Sequence, residues 1–135
     1  MAIFNEKWFS RIERPSRYIG NEINAICKDR DAIEVSLALA FPDVYDVGMS
    51  HVGLKILYQL LNNESWIAAE RVFCPWIDLE KEMLKRGLLL ETLESRRPLG
   101  NFDIVGFSLQ HELSYTNVLT MLHLAGIPFF SKDIL

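Results

Sequence analysis

Ile33-Glu-Val-Ser-Leu-Ala-Leu-Ala-Phe41-Pro42, followed by Asp43-Val-Tyr-Asp-Val-Gly-Met-Ser-His51, decides the fold class. The run alternates at its start, then turns wholly apolar until Pro42 stops it. That is the pattern of a strand buried on both faces near its end, as in a sheet with helices on each side. A polar loop follows. Ser50 is then placed to cap a helix on which Val52, Ile56 and Leu60, and also Gly53, Leu57 and Leu61, recur at helical spacing until Asn62-Asn63.

Outward from this unit the order of strand, turn and helix repeats. Ile67 to Phe73 predicts a second strand closed by Pro75. Asp78 to Arg86 predicts a short helix with Asp78 as its cap, Gly87 as its stop and a Glu82–Arg86 ion pair in support. Leu88 to Leu93 is a third strand candidate and Asp103 to Leu109 a better one, while Ser114 to Ala125 reads as a helix ended by Gly126 and Pro128. At the N-terminus Phe4, Trp8 and Ile12 make the stripe of an amphipathic helix that Pro15 ends. The alternation implies an α/β fold: an open, mainly parallel sheet with helices on both faces, Rossmann-like or flavodoxin-like. The expected organisation is an N-terminal helix and arm over residues 1–30 and an α/β domain over 31–135. Phe129 to Leu135 is apolar, and no further helix covers a last strand. The domain therefore reads as incomplete at its C-terminal end, with an exposed sheet edge that favours self-association.

At 135 residues, half of them hydrophobic and 24% charged, the chain fits one domain whose core forms without disulfides. Its 18 acidic and 14 scattered basic side chains give no electrostatic footprint for nucleic acid. No stretch reaches the roughly 18 apolar residues needed to span a bilayer, so no membrane partner and a cytoplasmic location are expected. Cys27 and Cys74 lie too far apart in sequence for a CxxC pair, which excludes a cysteine-held iron–sulfur cluster within this chain.

In open parallel sheets, ligands sit outside the carboxyl ends of the strands. That rule selects two loops, Asp43 to His51 and Ser108 to Ser114. If their strands are neighbours, Asp43, Tyr45, Asp46, Gly48, Ser50 and His51 face Ser108, Gln110, His111 and Glu112 across one cleft able to take a small molecule. Turn and cap duty is the competing account of these residues. Familiar nucleotide signatures fail. Lys55 comes one residue late for a phosphate loop and no hydroxyl follows it, and no GxGxxG occurs. His51, His111 and His123 have no metal-ligand spacing, and Ser108 lacks the strained elbow of a nucleophile.

The first loop, Asp43-Val-Tyr45-Asp-Val-Gly48, resembles the cobalamin-binding motif D-x-H-x-x-G, and Ser108-Leu109-Gln110 is similar to that family's S-x-L element. Tyr45 stands where the motif has its axial histidine. A wider set of runs is more specific: Arg14-Pro-Ser-Arg-Tyr-Ile-Gly-Asn-Glu22, Tyr45 to His51, Ala69-Glu-Arg-Val-Phe73 and Gly106 to Asn117. Together they resemble the N-terminal region of uncharacterised radical S-adenosylmethionine proteins, iron–sulfur oxidoreductase-like, over about Arg14 to Ile127. The resemblance implies a cobalamin-binding-like accessory domain ahead of a catalytic barrel. The four-iron cluster and S-adenosylmethionine are expected in that barrel, which would also be this chain's main partner. A phenol, with a pKa of about 10, must ionise before it offers cobalt a lone pair, so Tyr45 argues against cobalamin held through a displaced lower base. The cleft would then lack that ligand, hold cobalamin by its edges, or only position substrate and close the barrel. The alternative is a non-enzymatic flavodoxin-like interaction module that docks a partner through Phe4, Trp8 and Ile12 and the end at Ile127 to Leu135.

Overall fold

The structure, a computed structural model, describes residues 5–134. Its strands are β1 (Val35–Phe41), β2 (Ile67–Phe73) and β3 (Ile104–Phe107). Its helices are α1 (Tyr45–Gly48), α2 (Val52–Asn63), α3 (Ile77–Arg86) and α4 (Tyr115–Leu124). The strands form one parallel sheet in the order β2-β1-β3. Register runs from Val35 opposite Ile67 to Phe41 opposite Phe73, and from Leu37 opposite Ile104 to Ala40 opposite Phe107. This is the open α/β sheet that the alternation predicts.

The chain steps from β1 to β2 in one direction, then crosses back over β1 to reach β3. With right-handed crossovers, that reversal puts the two connections on opposite faces. On one face Leu39, Phe41, Ala69 and Phe73 pack against Leu54 and Tyr58 of α2. On the other, Ala38, Ala40 and Val72 pack against Leu79 and Met83 of α3 and Met121 and Leu124 of α4. The small Ala38 and Ala40 let those helices approach β1 closely. Gly87, in the left-handed region at φ 64°, ends α3 as expected, and Glu82 pairs with Arg86 at 2.9 Å.

Several local expectations are corrected. Among the described residues, Phe9–Arg11 of the expected N-terminal helix is a 3-10 turn, and Phe4 lies outside the described residues. Phe9 and Ile12, 2% and 6% exposed, are the buried anchors. An isolated stretch this short gains little from helix formation, and one tight turn suffices to bring both into the core. Ser50 is not the cap of α2. His51 is, its Nδ1 accepting from the Leu54 N–H at 3.1 Å. Asp78 sits inside the first turn of α3, after the N-cap Trp76, and its carboxylate accepts from the Leu79 and Glu13 N–H groups. Leu88–Leu93 is not a strand. It makes one antiparallel bridge, Glu91 to Pro98, and single backbone bonds from the Leu90 N–H to the Leu124 carbonyl and from the Leu93 N–H to the Arg71 carbonyl, and turns back on itself at Arg96, φ 58°. After Ile127 the described chain ends in a 3-10 turn, Ser131–Asp133, rather than a strand.

Candidate functional site

Because β1 and β3 are neighbours, the loops that follow them lie side by side where the chain's direction across the sheet reverses. The Ser108 N–H extends the ladder to the Ala40 carbonyl at 3.0 Å, and Asn117 Nδ2 donates to the Pro42 carbonyl at 2.9 Å. In open α/β sheets this is the position of the ligand crevice. At this position the second loop places Ser108, half-buried and accepting from Gln110 Nε2 at 3.2 Å, and exposed Gln110, His111 and Glu112.

The first loop's residues are spent elsewhere. Asp43 Oδ1 accepts from the Val44 N–H at 2.7 Å, and Ser50 Oγ donates to the Asp46 carbonyl at 2.9 Å. The His51 ring lies 5.2 Å from Phe41 and its Nδ1 is engaged in capping. Gly48 is required by a close approach, since a Cβ there would stand 2.1 Å from the Phe73 ring. Asp46 receives Arg17 at 2.7 Å and Arg14 at 3.1 Å. The Tyr45 ring packs edge-on to Phe73 at 5.4 Å, and its hydroxyl donates to Glu22 Oε1 at 2.6 Å.

Those contacts belong to an arm, residues 14–26, laid over the carboxyl ends of β1 and β2. Tyr18 accepts from the Trp76 N–H at 3.0 Å, and Arg96 donates to the Ile19 carbonyl. Gly20 takes φ 71° where a side chain would meet the Leu93 carbonyl oxygen at 2.7 Å. Under the arm lies a buried charge network on β2. Arg71 reaches Glu22 at 2.8 Å and Glu94 at 2.6 Å, donates its N–H to Glu94 at 2.8 Å, and stacks 4.8 Å over the Tyr58 ring. Adjacent Glu70 accepts from Thr92 Oγ1 at 2.5 Å and Ser95 Oγ at 2.7 Å.

The electrostatics follow from this packing. Burial alone would weaken the Arg71 cation, but Glu94 and Glu22 outweigh it and raise its pKa, fixing the guanidinium. Burial pushes the Glu94 carboxyl up against the pull of Arg71. It also pushes Glu22 up, yet the Tyr45 hydroxyl and Arg71 prevail and hold that carboxyl below its ordinary value. Arg17 holds Asp46 below the usual carboxylate range. Burial and the neighbouring Glu22 push the Tyr45 phenol up to about 12. Beside the network, a cavity of about 390 Å³ opens between the arm and α2, lined by Glu22, Met49, Leu54, Lys55, Tyr58 and Arg71 among others.

A tyrosine held this way does not fit an axial cobalt ligand: it is a donor committed to Glu22, and it ionises less readily than a free phenol. His51 offers no substitute, since its Nδ1 caps α2. Among the described residues, no three His, Cys, Asp or Glu side chains are placed to hold a metal ion, and no helix is long and apolar enough to cross a membrane.

Sequence reasoning singled out neither Glu22, Arg71 and Glu94 nor Glu70. The signal was present: Glu70-Arg71 are two adjacent charges inside the otherwise apolar run Ile67–Phe73, all seven residues of which are buried, and buried charges demand partners. Three of the four runs that carry the resemblance, Arg14–Glu22, Tyr45–His51 and Ala69–Phe73, meet at this network.

The chain matches a family model described as radical SAM proteins, N-terminal, over residues 53–134, from the start of α2 to the end of the described chain. No curated protein matches it, and no solved structure does.

Proposed function

The chain belongs to the family of radical SAM proteins, N-terminal, and from that premise we propose that it is an accessory domain, not a catalytic one. It offers the crevice between Pro42–His51 and Ser108–Ser114 to a small ligand or substrate, beside a catalytic barrel that holds the four-iron cluster and S-adenosylmethionine in the cytoplasm. The observation that carries this reading is the adjacency of β1 and β3, which leaves Ser108, Gln110, His111 and Glu112 grouped at the sheet's direction change with few partners of their own. These four can donate and accept hydrogen bonds to a polar ligand. The arm, strapped over β1 and β2, restricts entry to that side. Cobalamin ligation through Tyr45 is no part of the reading, because the phenol serves the strap.

The test is reconstitution and titration of the purified chain. Incubation with iron and sulfide under anaerobic conditions should give no stoichiometric charge-transfer absorption, since a cluster needs three or four thiolates close together and the chain has Cys27 and Cys74. Hydroxocobalamin should keep its lower base coordinated in the presence of the chain. A four-iron cluster per chain, or a cobalamin spectrum showing the lower base displaced, overturns the reading.

A further inference from the structure

The cavity of about 390 Å³ between the arm and α2 has the size of a small-molecule site, for which roughly 300–1,000 Å³ is usual. Its walls divide by chemistry. Met49, Leu54 and the Tyr58 ring line it with apolar surface, Arg71 lines it from β2, and Lys55 lines it from an exposed position on α2. Beside it runs the span of the arm between two anchors, Glu22 on Arg71 at 2.8 Å and the Ile26 N–H on the Tyr58 hydroxyl at 2.7 Å. Among the described residues that span, 23–25, makes one hydrogen bond, from the Ala25 N–H to the Glu22 carbonyl, and Ile23 is fully exposed.

Arg71 brings an unmet demand to this cavity. Its side chain is 8% exposed, and the N–H groups of a buried guanidinium need acceptors. Nε donates to Glu94 and Nη2 to Glu22. Among the described residues the acceptor for Nη1 is the Met49 Sδ, at 3.2 Å, and a thioether is a weak acceptor. The charge, by contrast, is answered. Two carboxylates already flank the one cation, so a third anion would be repelled by both. What Nη1 lacks is an oxygen that carries no charge.

We propose that this cavity binds a small, uncharged, largely apolar molecule through a carbonyl or amide oxygen. The oxygen accepts from Arg71 Nη1 in place of the Met49 sulfur, and a bond from an ionised donor is roughly twice as strong as one between neutral groups. The apolar body of the molecule rests against Met49, Leu54 and the Tyr58 ring, and it gives the exposed Ile23 an apolar contact. The site is separate from the crevice beside β3 and does not depend on the accessory-domain reading.

The experiment is a proton–nitrogen NMR titration of the chain with benzamide and with benzoate, which share a ring and differ in the charge of the acceptor. Benzamide should shift the amide signals of Met49, Leu54 and residues 23–25, with a fragment-like dissociation constant on the order of 1 mM. Benzoate should bind about fivefold more weakly, because Glu22 and Glu94 repel it. Met49→Gln places an amide oxygen where the sulfur stands, answers Nη1 from within the protein, and should weaken benzamide by about tenfold. Met49→Leu takes the competing sulfur away and should bind benzamide at least as tightly as the parent. Three results overturn the proposal: no shift at these amides, a Gln variant that binds like the parent, or benzoate binding more tightly than benzamide, as expected if Lys55 holds an anion. Loss of binding in Met49→Leu overturns it too, since shape rather than an acceptor would then decide.

Discussion

Above the carboxyl ends of β1 and β2 the arm crosses from Arg14 to Ile26, tied down by ion pairs to Asp46 and Arg71 and by Tyr18 and Arg96. Above those of β1 and β3, Gln110, His111 and Glu112 stand exposed, with one side-chain hydrogen bond, Gln110 to Ser108, among them. The two ends share β1, and both are rich in polar residues. One has converted its polar groups into structure, at the cost of burying charge. The other leaves them exposed to solvent. Density of polar residues in a loop therefore does not mark a binding site. Exposed polar groups without protein partners are held by water, which a ligand's own polar groups can replace.

Breaking the strapped side has the largest expected effect. Arg71→Met leaves Glu22 and the fully buried Glu94 side chain without their common cation, and removing one partner of a buried pair costs about 3–5 kcal/mol. Urea denaturation should show a loss of that size, and adding Glu94→Gln should return part of it. If Arg71→Met is neutral, the network is no more committed than the open crevice, and the contrast between the two ends falls.

Gly48→Ala comes next. Its Cβ would sit 2.1 Å from Cε1 of Phe73, and Phe73 is buried against Phe41 and Tyr45, so backbone or ring must shift at about 1–3 kcal/mol. Combining it with Phe73→Leu should relieve much of the clash in the same denaturation experiment. A Gly48→Ala protein of parental stability would show that α1 is not pinned to β2, and with it that Tyr45 is free to leave Glu22.

Tyr45→Phe sharpens the comparison with a smaller change. It removes the donor to Glu22 Oε1, worth about 1 kcal/mol, and it alters the alkaline limb of stability. The folded-state phenol is pushed up from the ordinary 10 to about 12. A group whose pKa is raised on folding contributes stability that is complete below its unfolded value and is lost as pH rises through the folded one. The parent should thus lose stability between pH 10 and 12. Tyr58, also pushed up to about 12, shares that loss, so Tyr45→Phe should remove part of the slope. An identical slope in the variant would mean that Tyr45 is not held by Glu22.

The layered fold was legible because burial on both faces writes itself into sequence as apolar runs: β2 falls where Ile67–Phe73 predicts it, and β1 and β3 lie inside their predicted runs. The two loops were legible for the same reason, since each follows such a run. The strap was not. Glu22 lies 49 residues from Arg71 in sequence, and no local period records a partner that far away. Leu88–Leu93 misled in the opposite way, because its leucines serve two different cores: Leu90 packs with α3 and α4, and Leu93 with α2. A segment crossing between faces is as apolar as a strand without being one.

The smallest stability effect is expected at the open crevice, where it tests the comparison from the other side. Gln110, His111 and Glu112 are exposed, their side chains hold no part of the core, and exposed substitutions away from caps and networks usually change stability by no more than about 0.5 kcal/mol. The triple variant Gln110→Ala, His111→Ala, Glu112→Ala should therefore unfold with the parent in urea, although its total polar loss exceeds that of Tyr45→Phe. The contrast is the point: one hydroxyl removed from the strapped side should cost more than three polar side chains removed from the open side. Should the triple variant lose more than about 1 kcal/mol, the Ser108–Ser114 loop is structural as the strap is, its side chains are not reserved for a ligand, and the crevice ceases to be the site.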